Sequence, residues 1–201
     1  AIFTFTITNS GRRRIDVTLA GSLQNAVGYD SASGIAGVEC VSYGGNENRA
    51  VHRPGLAAVE MTNSALPADH PNQGSMVIAV LANETSVQER WTDFNAFWRG
   101  LAECGRLSSP APAGPSPDGR TVNGAVADHL SLAPQQSAQG TFIITWHFPN
   151  HYVNWSQVGF GINDTKSRFW IGNHYATFLG SALGALDYVC ADLDRLVGET
   201  R

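Results

Sequence analysis

Apolar and polar residues alternate clearly in two stretches near the start of the chain, residues 2–7 and residues 15–23. A period of two is typical of a β-strand with one buried face. Between the stretches, Asn9, Ser10 and Gly11 precede three arginines, a composition that favours a solvated turn. We therefore predict two strands that are joined as a β-hairpin, with the arginines at its tip.

Five further runs have the β-branched and aromatic content of strands, and each is bounded by Gly, Pro, Asn or Asp. These runs are residues 35–43, 56–62, 75–81, 121–130 and 141–148. At least seven strands separated by turn-forming residues favour two packed antiparallel sheets. The predicted fold class is therefore mainly β, an antiparallel β-sandwich over residues 1–172.

Three segments depart from this pattern. Residues 91–101 space their large apolar side chains at three and four, which predicts a short helix with one buried aromatic stripe. Residues 108–119 contain four prolines and few large apolar residues, which indicates a surface loop. Residues 173–201 repeat leucine at helical spacing, which predicts one long amphipathic helix. Because its apolar stripe continues to the end of the sequence, we expect this helix to be a connector to a further part of the protein.

Composition and charge limit the function classes. The chain has 201 residues and a formal net charge of −4, so it offers no basic surface for nucleic acid. The three cysteines, Cys40, Cys104 and Cys190, are far apart in sequence, which favours buried thiols in a reducing compartment. We therefore expect a cytoplasmic protein. Peripheral membrane association stays open, because no run of about 18 apolar residues predicts a spanning anchor.

Several short motifs point to one family. Residues 141–150, TFIITWHFPN, are followed by GNHYAT at residues 172–177. Near the start, ITNS at residues 7–10 precedes SLQNAVG at residues 22–28, and LAP at residues 132–134 precedes the strand at 141. Together these motifs resemble the N-terminal domain of glycoside hydrolase family 116, the non-lysosomal glucosylceramidases or bile acid β-glucosidases. The resemblance extends over almost the whole chain.

The resemblance implies a non-catalytic role. In that family the N-terminal domain is a β-sandwich that packs on a downstream (α/α)6 barrel, and the barrel holds the catalytic nucleophile and the acid/base carboxylate. The implied reaction of the whole enzyme is retaining hydrolysis of β-glucosides, including glucosylceramide, without a redox cofactor. No residue of this chain matches the catalytic motifs. We therefore expect the chain to be inactive alone and its parent chain to be a glycoside hydrolase.

The candidate site residues follow the last long strand. Loops and connecting helices at the ends of strands are where a sandwich usually meets a neighbouring domain. Two alternatives stay open, a free-standing carbohydrate-binding module with a tryptophan platform, or a protein-interaction domain that uses the last helix. The candidates for contact with the barrel or with sugar are Trp146, His147, Asn150, Trp155, Trp170 and Tyr175.

Metal and carboxylate sites are the remaining candidates for chemistry. His147, His151 and His174 have the residue type for a metal site, but hydrogen-bonded packing is the favoured interpretation for histidines beside aromatic residues. A glycosidase needs two suitably spaced carboxylates, and Glu39 and Glu60 lie within predicted strands. Solvated strand faces are the favoured interpretation for these two. We expect no metal and no cofactor.

Overall fold

The computed structural model describes residues 1–108, 114–154 and 168–200, and its long strands form two antiparallel sheets. The strands and helices are β1 Ile2–Thr8, β2 Ile15–Gln24, β3 Asn46–Arg53, β4 Leu56–Asn63, β5 Ser75–Leu81, β6 Thr85–Trp91, α1 Phe94–Cys104, β7 Asn123–Leu132, β8 Ser137–His147, β9 Tyr152–Val153, β10 Phe169–Trp170, α2 Ala182–Ala191 and α3 Leu193–Glu199. A short 3-10 helix, His174–Thr177, precedes α2.

The two sheets pack face to face and enclose the main core. One sheet has the strand order β1-β8-β5-β4-β3, and the other has the order β2-β7-β6. Alternate residues of the strands point into the space between the sheets, as the pleat requires. The predicted antiparallel β-sandwich is confirmed. The buried core residues between the sheets are Ala57, Val59, Met61, Ile78, Val80, Val87, Val126 and Phe142.

A helix covers part of the outer face of each sheet. Helix α1 lies on the three-stranded sheet, where Phe97 and Leu101 pack against the buried Ala125 and Ala127. Helix α2 lies on the five-stranded sheet, and its Leu186 is 0% exposed. Around Leu186 the sheet contributes small and branched side chains, which are Ala58, Val77, Ala79 and Ile143. The sandwich thus has four layers, and α1 and α2 lie on opposite sides of it.

The predicted hairpin of β1 and β2 is wrong. Strand β1 pairs with β8 in one sheet, and β2 pairs with β7 in the other. The connection is fixed by the buried side chain of Asn9, whose Nδ2 donates to the carbonyl oxygens of Arg13 at 2.8 Å and Leu132 at 3.0 Å. The segment that carries the arginines is therefore a crossover between sheets.

The prediction of a strand over residues 35–43 is also wrong. This segment has only isolated bridges, Ala36 with Glu39 and Glu39 with Arg120. Gly37 has a φ of 59°, a left-handed conformation that breaks an extended run. Conversely, β3 and β6 were missing from the sequence interpretation. Both lie at sheet edges and carry many polar residues, so their apolar signal is weak.

The C-terminal segment is divided, not one long helix. Ser181 caps α2, since its Oγ accepts a hydrogen bond from the Gly184 nitrogen at 3.0 Å, and a new helix must begin there. Asp192 then separates α2 from α3 with a φ of −134°. Because α2 is buried against the sheet, it belongs to the folded sandwich.

Three other expectations need correction. The helix near residue 94 leaves Phe94 and Trp98 exposed, so only part of its aromatic stripe is buried. Residues 109–113 of the predicted 108–119 loop lie outside the described residues. The rest of the loop is not all at the surface, since Ser116 is buried and its hydroxyl donates to the Arg120 oxygen at 2.7 Å. The thiols of Cys104 and Cys190 are exposed, and Cys40 alone is buried as expected.

Candidate functional site

Three connecting segments meet at one end of the sandwich, and together they are called the loop end here. They are residues 64–74, between β4 and β5, residues 148–154, after β8, and residues 168–178. They lie together because Ser75 at the start of β5 pairs with His147 at the end of β8. The loop end contains Asn150, Trp170 and Tyr175 of the six predicted site residues, and His147 lies next to it at the end of β8.

Asn150, in residues 148–154, is hydrogen-bonded to both of the other segments. Its Nδ2 donates to the carbonyl oxygens of Ala68 at 2.8 Å and His70 at 2.9 Å. Its Oδ1 accepts from the indole Nε1 of Trp170 at 3.0 Å. The hydroxyl of Tyr152 adds a bond to the Asp69 oxygen at 2.7 Å. Asn150 is thus a structural centre that fixes the position of an indole ring.

Tyr175 fixes the point where the last long strand ends. Its hydroxyl accepts from the Phe148 nitrogen at 2.9 Å and donates to the Phe148 oxygen at 2.8 Å. Asn173 adds a bond from its Nδ2 to the same oxygen at 2.7 Å. Pro149 follows, and because proline has no backbone N–H, it cannot donate a hydrogen bond to a neighbouring strand. The chain therefore leaves the sheet at a defined position.

His147 is a packing residue in this structure. It is 8% exposed, and its ring lies 5.8 Å from the Tyr175 ring in an edge-to-face arrangement. Within the described part of the chain its buried Nε2 has no hydrogen-bond partner. Gly74 allows the close packing behind it, since a Cβ there would lie 2.3 Å from the His147 oxygen. His147 therefore belongs to the packed interior next to the loop end.

The three predicted tryptophans have different positions. Trp170 is 60% exposed at the surface of the loop end. Trp146 is also exposed, but it lies on the opposite face of β8 from His147, because side chains alternate along a strand. Trp155 lies outside the described residues. The structure therefore brings His147, Asn150, Trp170 and Tyr175 together at the loop end, and it places Trp146 on another face.

A pocket of about 370 Å³ opens in the loop end. It lies beside the short β9–β10 ladder, in which Trp170 stands directly opposite Tyr152. Directly opposite residues point to the same side of a ladder, so the side chains of Trp170 and Tyr152 share one side of it. The described residues that line the pocket are Pro71, Asn72, Asn150, His151, Tyr152, Val153, Asn154 and Arg168.

The sequence interpretation singled out Asn150 and, as a candidate metal ligand, His151, but it identified no other described residue of the pocket. Asn72 and Arg168 are isolated polar residues in segments without periodicity, and Tyr152 belongs to a strand of two residues. Nothing local in the sequence brings Asn72 near Arg168. The one available signal was the aromatic and amide-rich composition of residues 148–154.

Glu39 and Glu60, the two glutamates considered as a possible carboxylate pair, are not arranged as a catalytic pair. Glu60 accepts from Nη2 of Arg49 at 2.6 Å across the β3–β4 ladder. Glu39 lies 3.7 Å from Nη2 of Arg120, in the irregular segment before β3. Each carboxylate therefore has its own arginine on a different element, an arrangement typical of surface ion pairs.

A second polar cluster lies near the end of α1. The imidazole of His129 contacts the Thr18 hydroxyl through Nδ1 at 3.1 Å and the Ser86 hydroxyl through Nε2 at 2.8 Å. Burial lowers the pKa of His129, and Arg106 lowers it further. The lowered pKa favours the neutral imidazole, and both ring nitrogens have hydroxyl partners, so we interpret His129 as a structural group.

The described ranges 1–108, 114–154 and 168–200 offer neither a grouped set of metal ligands nor a helix that could span a membrane. Within these ranges no three His, Cys, Asp or Glu side chains are grouped in a way that could hold a metal ion. His147, His151 and His174 are thus not assembled as a triad. None of the helices there is both long and apolar enough to pass through a bilayer.

A model of a known protein family matches almost the whole chain. The family described as "beta-glucosidase 2, glycosyl-hydrolase family 116 N-term" matches residues 1–195. A search of curated proteins found no match. The matched range includes both sheets, α1, α2 and the whole loop end.

Proposed function

The chain belongs to the N-terminal domain family of glycosyl hydrolase family 116, and on that premise we propose that it is a non-catalytic β-sandwich that supports the catalytic domain of a β-glucosidase. The proposed partner is a downstream (α/α)6 barrel of the same protein. The barrel supplies the nucleophile and the acid/base for retaining hydrolysis. The substrate of the whole enzyme is a β-glucoside, and glucosylceramide is the candidate that the resemblance suggests.

The observation that carries the proposal is the apolar surface of residues 168–178. In this one segment Ile171 and Phe178 are mostly exposed, and they are called the docking patch here. Contiguous exposed apolar surface marks contact sites in proteins, and both side chains come from one short segment. The patch is next to the hydrogen-bonded network of Asn150 and Tyr175, so it is presented on a well-supported part of the sandwich.

The pocket chemistry also supports a non-catalytic role. Glycoside hydrolysis needs two carboxyl groups about 5–9.5 Å apart, on either side of the scissile bond. The described residues that line the loop-end pocket contribute amides, an imidazole, a phenol and a guanidinium, and none of these described residues is Asp or Glu. These groups can bind or position a ligand, but they do not supply the acid and the nucleophile.

The docking patch is testable with a matched pair of substitutions. Phe178 and Phe94 are both 63% exposed, but Phe94 lies on α1, on the other side of the sandwich from α2. Binding of the chain to a separately produced family 116 catalytic domain is measured by calorimetry. We expect Phe178→Asp to weaken binding at least tenfold, because a charge would be buried at the interface, while Phe94→Asp leaves it unchanged.

Two results would contradict the proposal. If the unmodified chain does not bind the catalytic domain, the supporting role is wrong. If Phe94→Asp weakens binding and Phe178→Asp does not, the contact surface is on the α1 side. Circular dichroism of each variant shows whether the sandwich is intact, which both comparisons require.

A further inference from the structure

We infer that β1 is a self-association edge, through which two copies of this chain pair antiparallel and join their five-stranded sheets into one continuous sheet. Three features of β1 carry this inference, which are its unpaired edge, its lack of charge and its self-complementary sequence. The surface is separate from the docking patch, and it does not depend on the proposed function.

One edge of β1 has no neighbouring strand among the described residues, since β1 is the first strand of its sheet and pairs there with β8 alone. The Ala1 nitrogen donates to the Ile144 oxygen at 2.6 Å, and the Ile144 nitrogen donates back to the Ala1 oxygen at 2.9 Å. Because such double bonds recur at every second residue of an antiparallel ladder, the odd-numbered residues of β1 bond to β8. The N–H and C=O groups of the even-numbered residues therefore point to the free edge. These residues are Ile2, Thr4, Thr6 and Thr8.

The free edge of β1 lacks the features that usually prevent edge strands from pairing. Such strands commonly carry charged residues, proline or a β-bulge. β1 consists of isoleucine, phenylalanine and threonine, and its ladder with β8 runs without a register shift. By contrast β3, at the other edge of the same sheet, carries Glu47, Arg49 and Arg53. Residues 3–6 of β1 are exposed, so none of the described elements covers this uncharged edge.

The sequence of β1, IFTFTIT, is complementary to itself in the antiparallel direction. In the register that centres on Phe5, this residue lies opposite the partner's Phe5, and Thr4 lies opposite the partner's Thr6. Every even-numbered residue then lies opposite an even-numbered residue, so the free N–H and C=O groups of both edges are paired. Pairs of aromatic residues and pairs of threonines are among those that stabilise antiparallel strands. Because a two-fold axis at Phe5 makes the contact identical for both chains, a second copy is the partner that this edge fits.

Pairing also covers two phenylalanines that β1 leaves exposed. Phe3 is 44% exposed and Phe5 is 49% exposed, although Phe3 lies opposite the core residue Phe142 and therefore on the face between the sheets. The Phe5 ring lies 6.2 Å from the Phe142 ring in an edge-to-face arrangement. A second copy brings the same apolar row alongside, so burial of this surface adds to the backbone hydrogen bonds.

The test is sedimentation equilibrium of the 201-residue chain over a range of concentrations. We expect a reversible monomer–dimer equilibrium, because a contact made by one strand is small. Phe5→Lys and Phe5→Glu should each weaken the dimer about tenfold or more, since like charges then lie opposite each other at the two-fold axis. An equimolar mixture of the two variants should associate again, because opposite charges then face each other. The control is Phe94→Lys on α1, which makes the same change in net charge away from β1 and should not alter the equilibrium.

A second variant keeps the test valid if a charge at Phe5 disturbs the packing on Phe142. The Thr6 nitrogen points away from β8, so Thr6→Pro removes a hydrogen bond of the dimer and none of the sandwich. We expect Thr6→Pro to be a monomer with an unchanged circular dichroism spectrum. In the unmodified chain, hydrogen exchange at the Thr4 and Thr6 amides should slow as the concentration rises. The inference is wrong if the chain is a monomer at every concentration, or if Phe5→Lys and Thr6→Pro both leave a dimer intact.

Association through the docking patch is distinguished by Phe178→Asp. We expect this variant to form the dimer as the unmodified chain does, and we expect Phe5→Lys to bind the catalytic domain normally. If Phe178→Asp abolishes the dimer and Phe5→Lys does not, the two copies associate through the docking patch and the role of β1 is wrong. The supporting role under the proposed function is measured separately, by binding to the catalytic domain.

Discussion

Replacement of Leu186 by alanine tests whether α2 belongs to the sandwich or only leads away from it. Leu186 is 0% exposed and packs on the five-stranded sheet against Ala58, Val77 and Ile143. Leucine-to-alanine changes in rigid cores lower the free energy of unfolding by about 2.7–5.0 kcal/mol. The neighbours are small or branched residues on a hydrogen-bonded sheet that cannot collapse into the cavity. We therefore expect a loss of about 3–4 kcal/mol.

The assay is urea unfolding followed by circular dichroism, with thermal unfolding as a second measurement. For a domain of this size the expected loss lowers Tm by about 6–16 °C. Leu196→Ala in α3 is the control, because Leu196 is only partly buried and the change in helix propensity is the same. The control should lose about 1 kcal/mol or less. If both variants lose the same amount, α2 does not contribute to the core and the four-layer description is wrong.

Three further predictions concern other parts of the fold. Burial raises the pKa of Asp128, so ionisation of this carboxyl group opposes folding. Asp128→Asn should therefore raise the free energy of unfolding at pH 7. When unfolding is measured as a function of pH, this gain should disappear as the pH falls below the ordinary pKa of Asp, because the carboxyl group is then neutral in both states. Gly74→Ala should cost about 2 kcal/mol or more in thermal unfolding because its Cβ would overlap β8, whereas Gly100→Ala in α1 meets nothing within 4 Å and should stabilise by about 0.5–1 kcal/mol. Ellman's reagent should titrate the exposed Cys104 and Cys190 in the native protein, Cys104 first, because burial raises the pKa of the Cys190 thiol.

The sequence predicted the strands whose apolar residues alternate or form a continuous run, because burial of one face or of both faces of a strand gives these hydrophobic patterns. It did not predict that β1 and β2 lie in different sheets. A turn between two strands looks the same whether the strands pair or separate, and the deciding bonds join Asn9 to Leu132, far away in sequence. Edge strands such as β3 carry polar residues, so their pattern is too weak to detect.

The candidate site was predicted in part. The motif at residues 141–150 drew attention to His147 and Asn150, and the structure places both at the loop end with Trp170 and Tyr175. Trp146 belongs to the same motif, but its side chain points to the other face of β8. The alternation of side chains predicts which face a residue takes only when the limits and pairing of the strand are known. The pocket itself depends on distant segments, so no local pattern predicts it.

The measurement that tests the central claim most directly is hydrolysis of a chromogenic β-glucoside. The reaction is followed for this chain alone and for the chain joined to the catalytic domain of a family 116 enzyme. The account predicts no turnover by the chain alone and β-glucosidase activity only when the catalytic domain is present. Turnover by the purified chain alone would contradict the account, because two of its own carboxylates would then have to act as nucleophile and acid.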